Sequence, residues 1–233
     1  MRSNNIRRLI QKTGFDFHRY YPKSNRLAWL AEYNIRTVID VGANVGQFAD
    51  EIRSELPGAF IYSFEPLKDC FEKLREREAK DRKFKAFNCA LGEKEVPTNI
   101  NRSSYSLSSS LLAMTESHKT LFPHTQESVL EIIKVKRLDN VFRELKPEKE
   151  ILIKIDTQGY EDKVITGGIN AFSAARVAII ESSFIELYEN QPLFDDIYEK
   201  MKPLGFAYRG ALHQKINPKN GEVIFEDAIF VRE

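Results

Sequence analysis

A short β-branched run that ends in an acidic residue and a glycine-rich turn constrains this chain most strongly. The segment Thr37–Val41 has the apolar, β-branched composition of a strand that is buried on both faces. Gly42 and Gly46 follow it, and they let the chain turn tightly and let the next helix pack closely. The spacing G-x-x-x-G differs from the G-x-G-x-x-G of dinucleotide sites and from the lysine-containing loop that cradles phosphates. The turn therefore predicts a ligand site that holds no phosphate.

The rest of the chain alternates short apolar runs with amphipathic segments. The apolar runs predict strands, and apolar residues at helical spacing predict helices between them. Strands are predicted at residues 37–41, 59–64, 84–88, 151–155, 177–180, 206–208 and 228–231, and helices at residues 48–56, 67–80, 139–145, 160–166 and 194–204. Such alternation is typical of an α/β fold. We predict a single doubly wound, mostly parallel sheet of seven strands with helices on both faces.

Residues 93–134 have a less regular pattern. A Ser-rich stretch, Ser103–Ser110, precedes an expected helix at residues 111–120 and an expected strand at residues 132–135. This stretch is interpreted as a loop that hydrogen-bonds an acceptor, as a lid, or as a plain turn. The chain's histidines lie in no recognisable motif, and surface or loop positions are expected for them; they are His18, His118, His124 and His213. Because His118 and His124 belong to the irregular segment, they are the better candidates for a base.

The chain divides into a helical extension, residues 1–34, and one α/β domain, residues 35–233. Ile6, Leu9 and Ile10 form an apolar stripe at helical spacing within the extension. A length of 233 residues suits one domain with a short extension. The N-terminus has no apolar run long enough for a signal peptide or a membrane span, so we expect a cytoplasmic enzyme. The formal net charge of +1 gives no global field that favours nucleic acid.

Polar residues at the ends of the first two predicted strands point to one ligand site. Asp40 suits a cationic, amino-acid-like part of a ligand, and Asn44 can donate and accept hydrogen bonds at the same mouth. Glu65 ends the second strand, where an acidic residue can accept both hydroxyls of a ribose. Pro66 then ends the strand and fixes the loop.

A third polar segment follows the third predicted strand. In this topology the loop at residues 88–92 passes over the adenine of a nucleoside ligand, where Asn88 and the backbone near Cys89 can contact the ring edge. A glycine-rich turn alone is often only a tight turn, and a glutamate before proline is common on surfaces. Three such signals in order, each at a predicted strand end, favour a binding site over a purely structural interpretation.

Asp156 is the best candidate for activating an acceptor group. It follows the strand at residues 151–155, so its carboxylate is expected to open onto the site, although a helix N-cap is the structural alternative. Glu161 and Glu181 are expected to join it as further catalytic carboxylates. Lys154 either reaches the site or pairs with a carboxylate in the interior. Mg²⁺ or Ca²⁺ would suit such a cluster, but a metal is the less favoured interpretation, and we assign no metal ligands.

Several segments together resemble the FkbM family of methyltransferases. They are VIDVGANVGQFA, FEP, NCALG, the Ser-Leu segment near Ser110, VKRLDN, ILIKIDTQGYE and IIESS. The resemblance extends from about residue 36 to the C-terminus, and the segment IKIDTQGYE is its most family-specific part. It implies a Rossmann-like class I methyltransferase fold and S-adenosylmethionine as cofactor. The expected contacts with that cofactor are Asp40, Gly42, Ala43, Asn44, Gly46, Glu65, Pro66, Asn88, Cys89 and Ala90.

The resemblance also implies O-methylation, often of a sugar or another hydroxylated natural product, so a small-molecule or carbohydrate acceptor is expected. An RNA or protein methyltransferase on the same fold is an alternative, which the near-neutral charge disfavours. A non-catalytic module that binds the cofactor is a second alternative. The missing G-x-G-x-x-G disfavours a nicotinamide dehydrogenase. Neither the acceptor nor the oligomeric state follows from the sequence.

Overall fold

The computed structural model describes residues 26–232. This part of the chain contains eleven strands: β1 (Thr37–Val41), β2 (Phe60–Phe64), β3 (Phe84–Phe87), β4 (Ala90–Leu91), β5 (Thr98–Ser103), β6 (Ser128–Ile133), β7 (Val135–Lys136), β8 (Ile151–Ile155), β9 (Ala175–Ser183), β10 (Phe206–Ile216) and β11 (Val223–Arg232). Its α-helices are α1 (Gln47–Glu55), α2 (Lys68–Glu78), α3 (Glu116–Leu121), α4 (Leu138–Leu145), α5 (Glu161–Gly167), α6 (Ile169–Ala174) and α7 (Phe194–Met201). Short 3-10 helices cover Ala28–Tyr33, Ser106–Ser108, Pro123–Thr125 and Lys202–Leu204.

Seven of these strands form the central sheet, in the order β10-β11-β9-β8-β1-β2-β3. Five neighbouring strands of this sheet, β9, β8, β1, β2 and β3, run parallel to one another. At the other edge β11 pairs antiparallel with β9, and β10 pairs antiparallel with β11. The predicted doubly wound, mostly parallel sheet of seven strands is therefore confirmed. The chain leaves β1 toward β2 and later returns to β8 on the other side of β1. Strand order reverses there, so the crevice beyond the ends of β1 and β8 is where a ligand is expected.

Both faces of the sheet are covered by apolar side chains. On one face, Ile39 and Ile153 belong to a buried cluster that includes residues of α4 to α7. On the other face, Val38 and Leu152 pack in a cluster with residues of α1 and α2. All five residues of β1 and of β8 are buried, as their β-branched composition predicts. Each fully buried Ile or Leu side chain stabilises the fold by about 1.5–3 kcal/mol.

The described end of the predicted N-terminal extension packs on the domain. Leu27 and Leu30, beside and within the first 3-10 helix, are buried in the cluster that contains Ile52 of α1. The apolar stripe predicted further upstream lies outside the described residues. The division into an extension and a domain at residue 34 stays a prediction.

The irregular segment differs most from expectation. The helix predicted at residues 111–120 begins only at Glu116, because Met114 pairs with Tyr188 in a β-bridge and Thr115 caps α3. The strand predicted at residues 132–135 is split between β6 and β7. The β5 strand was not predicted, since its sequence is polar and its pairing with β6 is long-range.

The packing of α5 against the loop after β4 can be tested at Gly167. An added Cβ there would lie 2.0 Å from the carbonyl oxygen of Gly92, so Gly167→Ala should lower the free energy of unfolding by about 3 kcal/mol. Gly58 has no atom within 4 Å of an added Cβ. The control Gly58→Ala should therefore change stability by less than about 0.5 kcal/mol. Urea unfolding measures both, and equal small effects would contradict the close contact.

Candidate active site

Three cavities meet at the carboxyl ends of β1 and β8, and Asp156 and Leu107 line all three. The first lies between the turn after β1, the loop after β2 and the Ser-rich segment. Its walls include Gly42, Asn44, Phe64, Glu65, Pro66, Ala90 and Leu91. The second cavity lies under the segment at residues 105–125, and the third lies beside α1.

Gly42 allows the turn after β1 to touch the end of β8. Its φ is +77°, and an added Cβ would lie 1.8 Å from the carbonyl oxygen of Asp156. The amide of Asp156 donates to the carbonyl of Val41 at 3.0 Å, and the amides of Gly42 and Ala43 donate to the carbonyl of Phe64. A side chain at residue 42 would separate these backbones. The predicted role of Gly42 in a tight, closely packed turn agrees with this geometry.

Glu65 lines the first cavity and is 4% exposed. Its two carboxylate oxygens accept from the backbone amides of Asn44 and Leu67, each at 2.8 Å. Burial raises the pKa of Glu65 to about 7, although the two amides act to lower it. The side chain of Asn44 donates to the hydroxyl of Ser106 at 3.0 Å, which ties the turn to the Ser-rich segment.

Only part of the predicted loop after β3 faces the cavity. The Asn88 amide donates to the carbonyls of Glu65 and Pro66, at 3.0 and 2.8 Å, so it braces the loop that presents Glu65. Cys89 is buried in the main core cluster, and burial raises its pKa to about 11. Ala90 lines the cavity. Direct ligand contact by Asn88 and Cys89 is therefore not supported by this geometry.

Asp40 lies beneath the cavities and lines none of those described. It is fully buried, and the hydroxyl of Ser63 donates to it at 3.2 Å. Gly46 likewise faces the protein: an added Cβ would lie 3.1 Å from Leu74 and 3.3 Å from Arg77. In this geometry Asp40 supports the end of the sheet and Gly46 the packing of α1, and their expected contacts with a ligand stay predictions.

Lys154 is buried among carboxylates. It is the β8 partner of Asp40 in the sheet, and its ammonium lies 3.1 Å from Oδ2 of Asp156. Burial alone would lower the pKa of Lys154, but Asp156 and Asp40 outweigh it and raise that pKa. The third cavity is lined by Lys154, Asp156 and Asp227. The sequence left two positions open for Lys154, an ion pair in the interior and access to the site. In the structure Lys154 pairs with Asp156 and also lines a cavity.

Gln158 links the candidate carboxylates. Its backbone is left-handed, with a φ of +56°, and its Nε2 donates to Asp156 at 2.7 Å and to Glu181 at 2.6 Å. The hydroxyl of Tyr188 donates to the side-chain oxygen Oε1 of Gln158 at 2.9 Å, which fixes the orientation of the side-chain amide. Burial and the neighbouring charge of Asp156 raise the pKa of Glu181 well above its ordinary value. Gln158 lies near Asp156 in the sequence, but its hydrogen bond to Glu181 depends on the tertiary structure.

Glu161 stands apart from the described cavities. It is 2% exposed and lines none of the described cavities. One carboxylate oxygen accepts from the backbone amide and hydroxyl of Thr157 and from the amide of Gly159, at 2.8, 3.0 and 3.2 Å. Glu161 therefore holds the turn that follows Asp156, and direct catalytic contact is not supported.

The described histidines divide between core and surface. His118 is buried, its Nε2 lies 2.9 Å from the Thr125 hydroxyl, and burial lowers its pKa. His124 is exposed and packs edge-on against Tyr105, while His213 is exposed on β10. His118 and His124 both line the second cavity. His18 lies outside the described residues.

Residues 26–232 contain no group of three or more His, Cys, Asp or Glu side chains arranged to hold a metal ion. Asp156 and Glu181 instead share the amide of Gln158. None of the helices in the same range has the length and apolar composition needed to cross a lipid bilayer.

The parallel sheet, the glycine-rich turn after β1 and the cavity at the strand ends define a Rossmann-like α/β protein with a cavity at its topological switch point, where ligands bind in such folds. The family model described as the methyltransferase FkbM domain matches residues 40–208. The chain belongs to the FkbM methyltransferase family. That membership agrees with the methyltransferase family that the motifs predict.

Comparison with individual proteins agrees with this family. The chain is 26% identical over 161 residues to the 2-O-methyltransferase NoeI of Sinorhizobium fredii (strain NBRC 101917 / NGR234), covering 66% of each chain. The chain thus spans about two thirds of that relative's length. A crystal structure of methyltransferase FkbM from Methylobacillus flagellatus KT has a similar fold, with a TM-score of 0.53 and 14% identity, over 85% of this chain and 44% of that one.

The role of Glu161 can be tested through the pH dependence of stability. Burial raises its pKa from about 4.5 to about 7, so the folded state holds a proton between these values that the unfolded state has lost. The free energy of unfolding should therefore fall as the pH rises through this window. Glu161→Gln keeps an acceptor oxygen but cannot ionise, so its decline should be shallower, and at about pH 8 it should be more stable than the native protein by about 2 kcal/mol.

Urea unfolding at a series of pH values measures this difference. Glu76, whose side chain is 63% exposed, supplies the control Glu76→Gln, which should follow the native pH profile. A Glu161→Gln profile with the native slope would contradict a buried carboxyl with a raised pKa.

Proposed function

We propose that the protein is an S-adenosylmethionine-dependent O-methyltransferase that acts on a hydroxyl of a small hydroxylated molecule, with a carbohydrate as the favoured acceptor. The proposal rests on the convergence of three cavities at Asp156, a carboxylate whose side chain is 28% exposed. Family membership supplies methyl transfer, and the similarity to a protein named as a 2-O-methyltransferase supports oxygen as the acceptor atom.

The first and third cavities together fit the chemistry of this cofactor. Phe64 and Leu91 give the first cavity apolar walls for an adenine ring, and Glu65 offers a carboxylate to the ribose hydroxyls. In the third cavity, Lys154 can bind the carboxylate of the amino-acid end, and Asp227 can bind its ammonium group. A donor set with one buried cation among carboxylates suits a zwitterion and a sulfonium better than a phosphate. When bound, S-adenosylmethionine supplies an activated methyl group.

The chain's own residues would then position an acceptor and remove its proton. Asp156 accepts the proton of the acceptor hydroxyl as the oxygen bonds to the methyl carbon and the carbon–sulfur bond breaks. Lys154 and Gln158 hold one carboxylate oxygen each of Asp156, so the carboxylate keeps one orientation. Leu107 stands where the cavities meet, so its apolar side chain would help to shield the reacting atoms from water.

Asp156→Asn tests this mechanism. The amide cannot accept the hydroxyl proton, so turnover should fall by about 10²–10⁴-fold, the usual contribution of a positioned base. Cofactor affinity should change by no more than about threefold, because Asp156 is one of several groups around the amino-acid end. Transfer of radiolabelled methyl from S-adenosylmethionine to a library of hydroxylated small molecules measures turnover, and calorimetry measures affinity.

Asp195→Asn, at an exposed position on α7, is the matched control and should keep native turnover. Native turnover in Asp156→Asn would exclude Asp156 as the base. Saturable cofactor binding without methyl transfer to any acceptor in the library would favour the non-catalytic binding module instead.

A further inference from the structure

The cofactor proposed above would occupy the first and third cavities and leave the second cavity free. It has a volume of about 240 Å³ and lies under the segment at residues 105–125. Leu107, Asp156 and Gln158 line both this cavity and the first one. A molecule in the second cavity would therefore approach Asp156 from a different side than a molecule in the first.

The walls of the second cavity are apolar and aromatic. They include Leu107, Phe122, Leu187 and Phe225, and the rings of Tyr105 and His124 meet edge to face at 5.7 Å between their centroids. Such surfaces pack against the flat apolar face of a ring. No lysine or arginine of the described residues lines this cavity. The Lys215 ammonium lies outside the lining, 6.0 Å from the centroid of the Phe122 ring.

Carboxyl groups occupy the inner end of the same cavity. Asp156 and Glu181 lie there, joined by the Gln158 amide. Both offer oxygens that can accept from a hydroxyl, and such a carboxyl pair disfavours a bound anion. Burial and the neighbouring charge of Asp156 raise the pKa of Glu181 well above its ordinary value.

We infer that the second cavity is the acceptor site, and that it takes a neutral molecule in which a hydroxyl is carried on a ring with an apolar face. The ring packs against Tyr105 and His124, and its hydroxyl donates to Asp156. This assignment rests on the proposed function, since it needs a methyl donor in the first cavity. The aromatic walls accept either a pyranose or a phenol, which share this chemistry.

The segment that builds this site is tied at fixed points to the loops that follow β8 and β9. The hydroxyl of Ser110 donates to the backbone carbonyl of Gln158 at 2.5 Å, and the Tyr188 hydroxyl lies 3.2 Å from the carbonyl oxygen of Ser108. Tyr188 also packs edge-on against His118, with 4.8 Å between the ring centroids. The acceptor walls are thus positioned by the same residues that orient the Gln158 bridge.

The test uses protein saturated with S-adenosylhomocysteine, after calorimetry has established that this ligand binds. Saturation-transfer NMR then measures binding of two neutral probe sets, methyl pyranosides and phenols, and of one anionic probe, glucuronic acid. At least one neutral probe should bind. The double variant Tyr105→Ala/His124→Ala removes exposed side chains and should weaken that binding by about tenfold. His213→Ala is the control and should leave it unchanged.

Binding of pyranosides or of phenols that the double variant weakens supports the inference and identifies the ring type. Absence of neutral probe binding, tighter binding of glucuronic acid, or undiminished binding in the double variant would overturn the inference while the methyltransferase proposal stands. Failure of S-adenosylhomocysteine to bind at the first step would instead overturn the proposed function.

Discussion

The site depends on the direct contact between the turn after β1 and the end of β8. The backbone of Gly42 lies so close to the Asp156 carbonyl that a Cβ at residue 42 would collide with it. The Asp156 amide donates a hydrogen bond to the carbonyl of Val41. These contacts place the end of β8 beside the turn where strand order reverses. Because the backbone holds Asp156 there, its carboxylate stands where the three cavities meet.

A buried charge cluster forms beneath this contact. Lys154 lies among Asp40, Asp156 and Asp227, and Glu181 is close to Asp156. Removing one partner from such a cluster strands a buried charge, which costs more than the pair contributes. Burial is the largest cause of the raised pKa values of Asp40, Asp227 and Glu181, and the neighbouring charge of Asp156 raises each of them further. A binding site for a zwitterionic or cationic group is the chemical use that this arrangement favours.

The sheet and its switch point were predictable because β1 and β8 carry mostly apolar, β-branched runs that mark buried parallel strands. The positions of Asp156 and Glu65 at a cavity were predictable in the same way, since each directly follows such a run. That Asp40, Asn88 and Glu161 line none of the described cavities was not predictable, because a strand end does not say whether a polar side chain faces a cavity or braces a loop. Only the fold brings Asn88 to the carbonyls of the Glu65 loop.

The acceptor side was the least predictable part. Tyr105, Phe122 and His124 belong to a segment without periodicity, and Phe225 comes from a distant strand, so only tertiary structure unites them. The hydrogen bond from Gln158 to Glu181 likewise joins the left-handed turn after β8 to β9. Local patterns in the sequence carry no record of such long-range hydrogen bonds.

Calorimetric titration of the purified protein with S-adenosylmethionine, S-adenosylhomocysteine and NAD shows whether the protein binds the proposed cofactor. Saturable binding of the first two and none of NAD is the expected result. Because the pKa of Glu65 is raised to about 7 and a ribose favours its ionised form, affinity should also fall as the pH drops below about 7. Absence of binding by both S-adenosyl compounds would contradict the proposed function, and binding of NAD alone would replace it with another enzyme class.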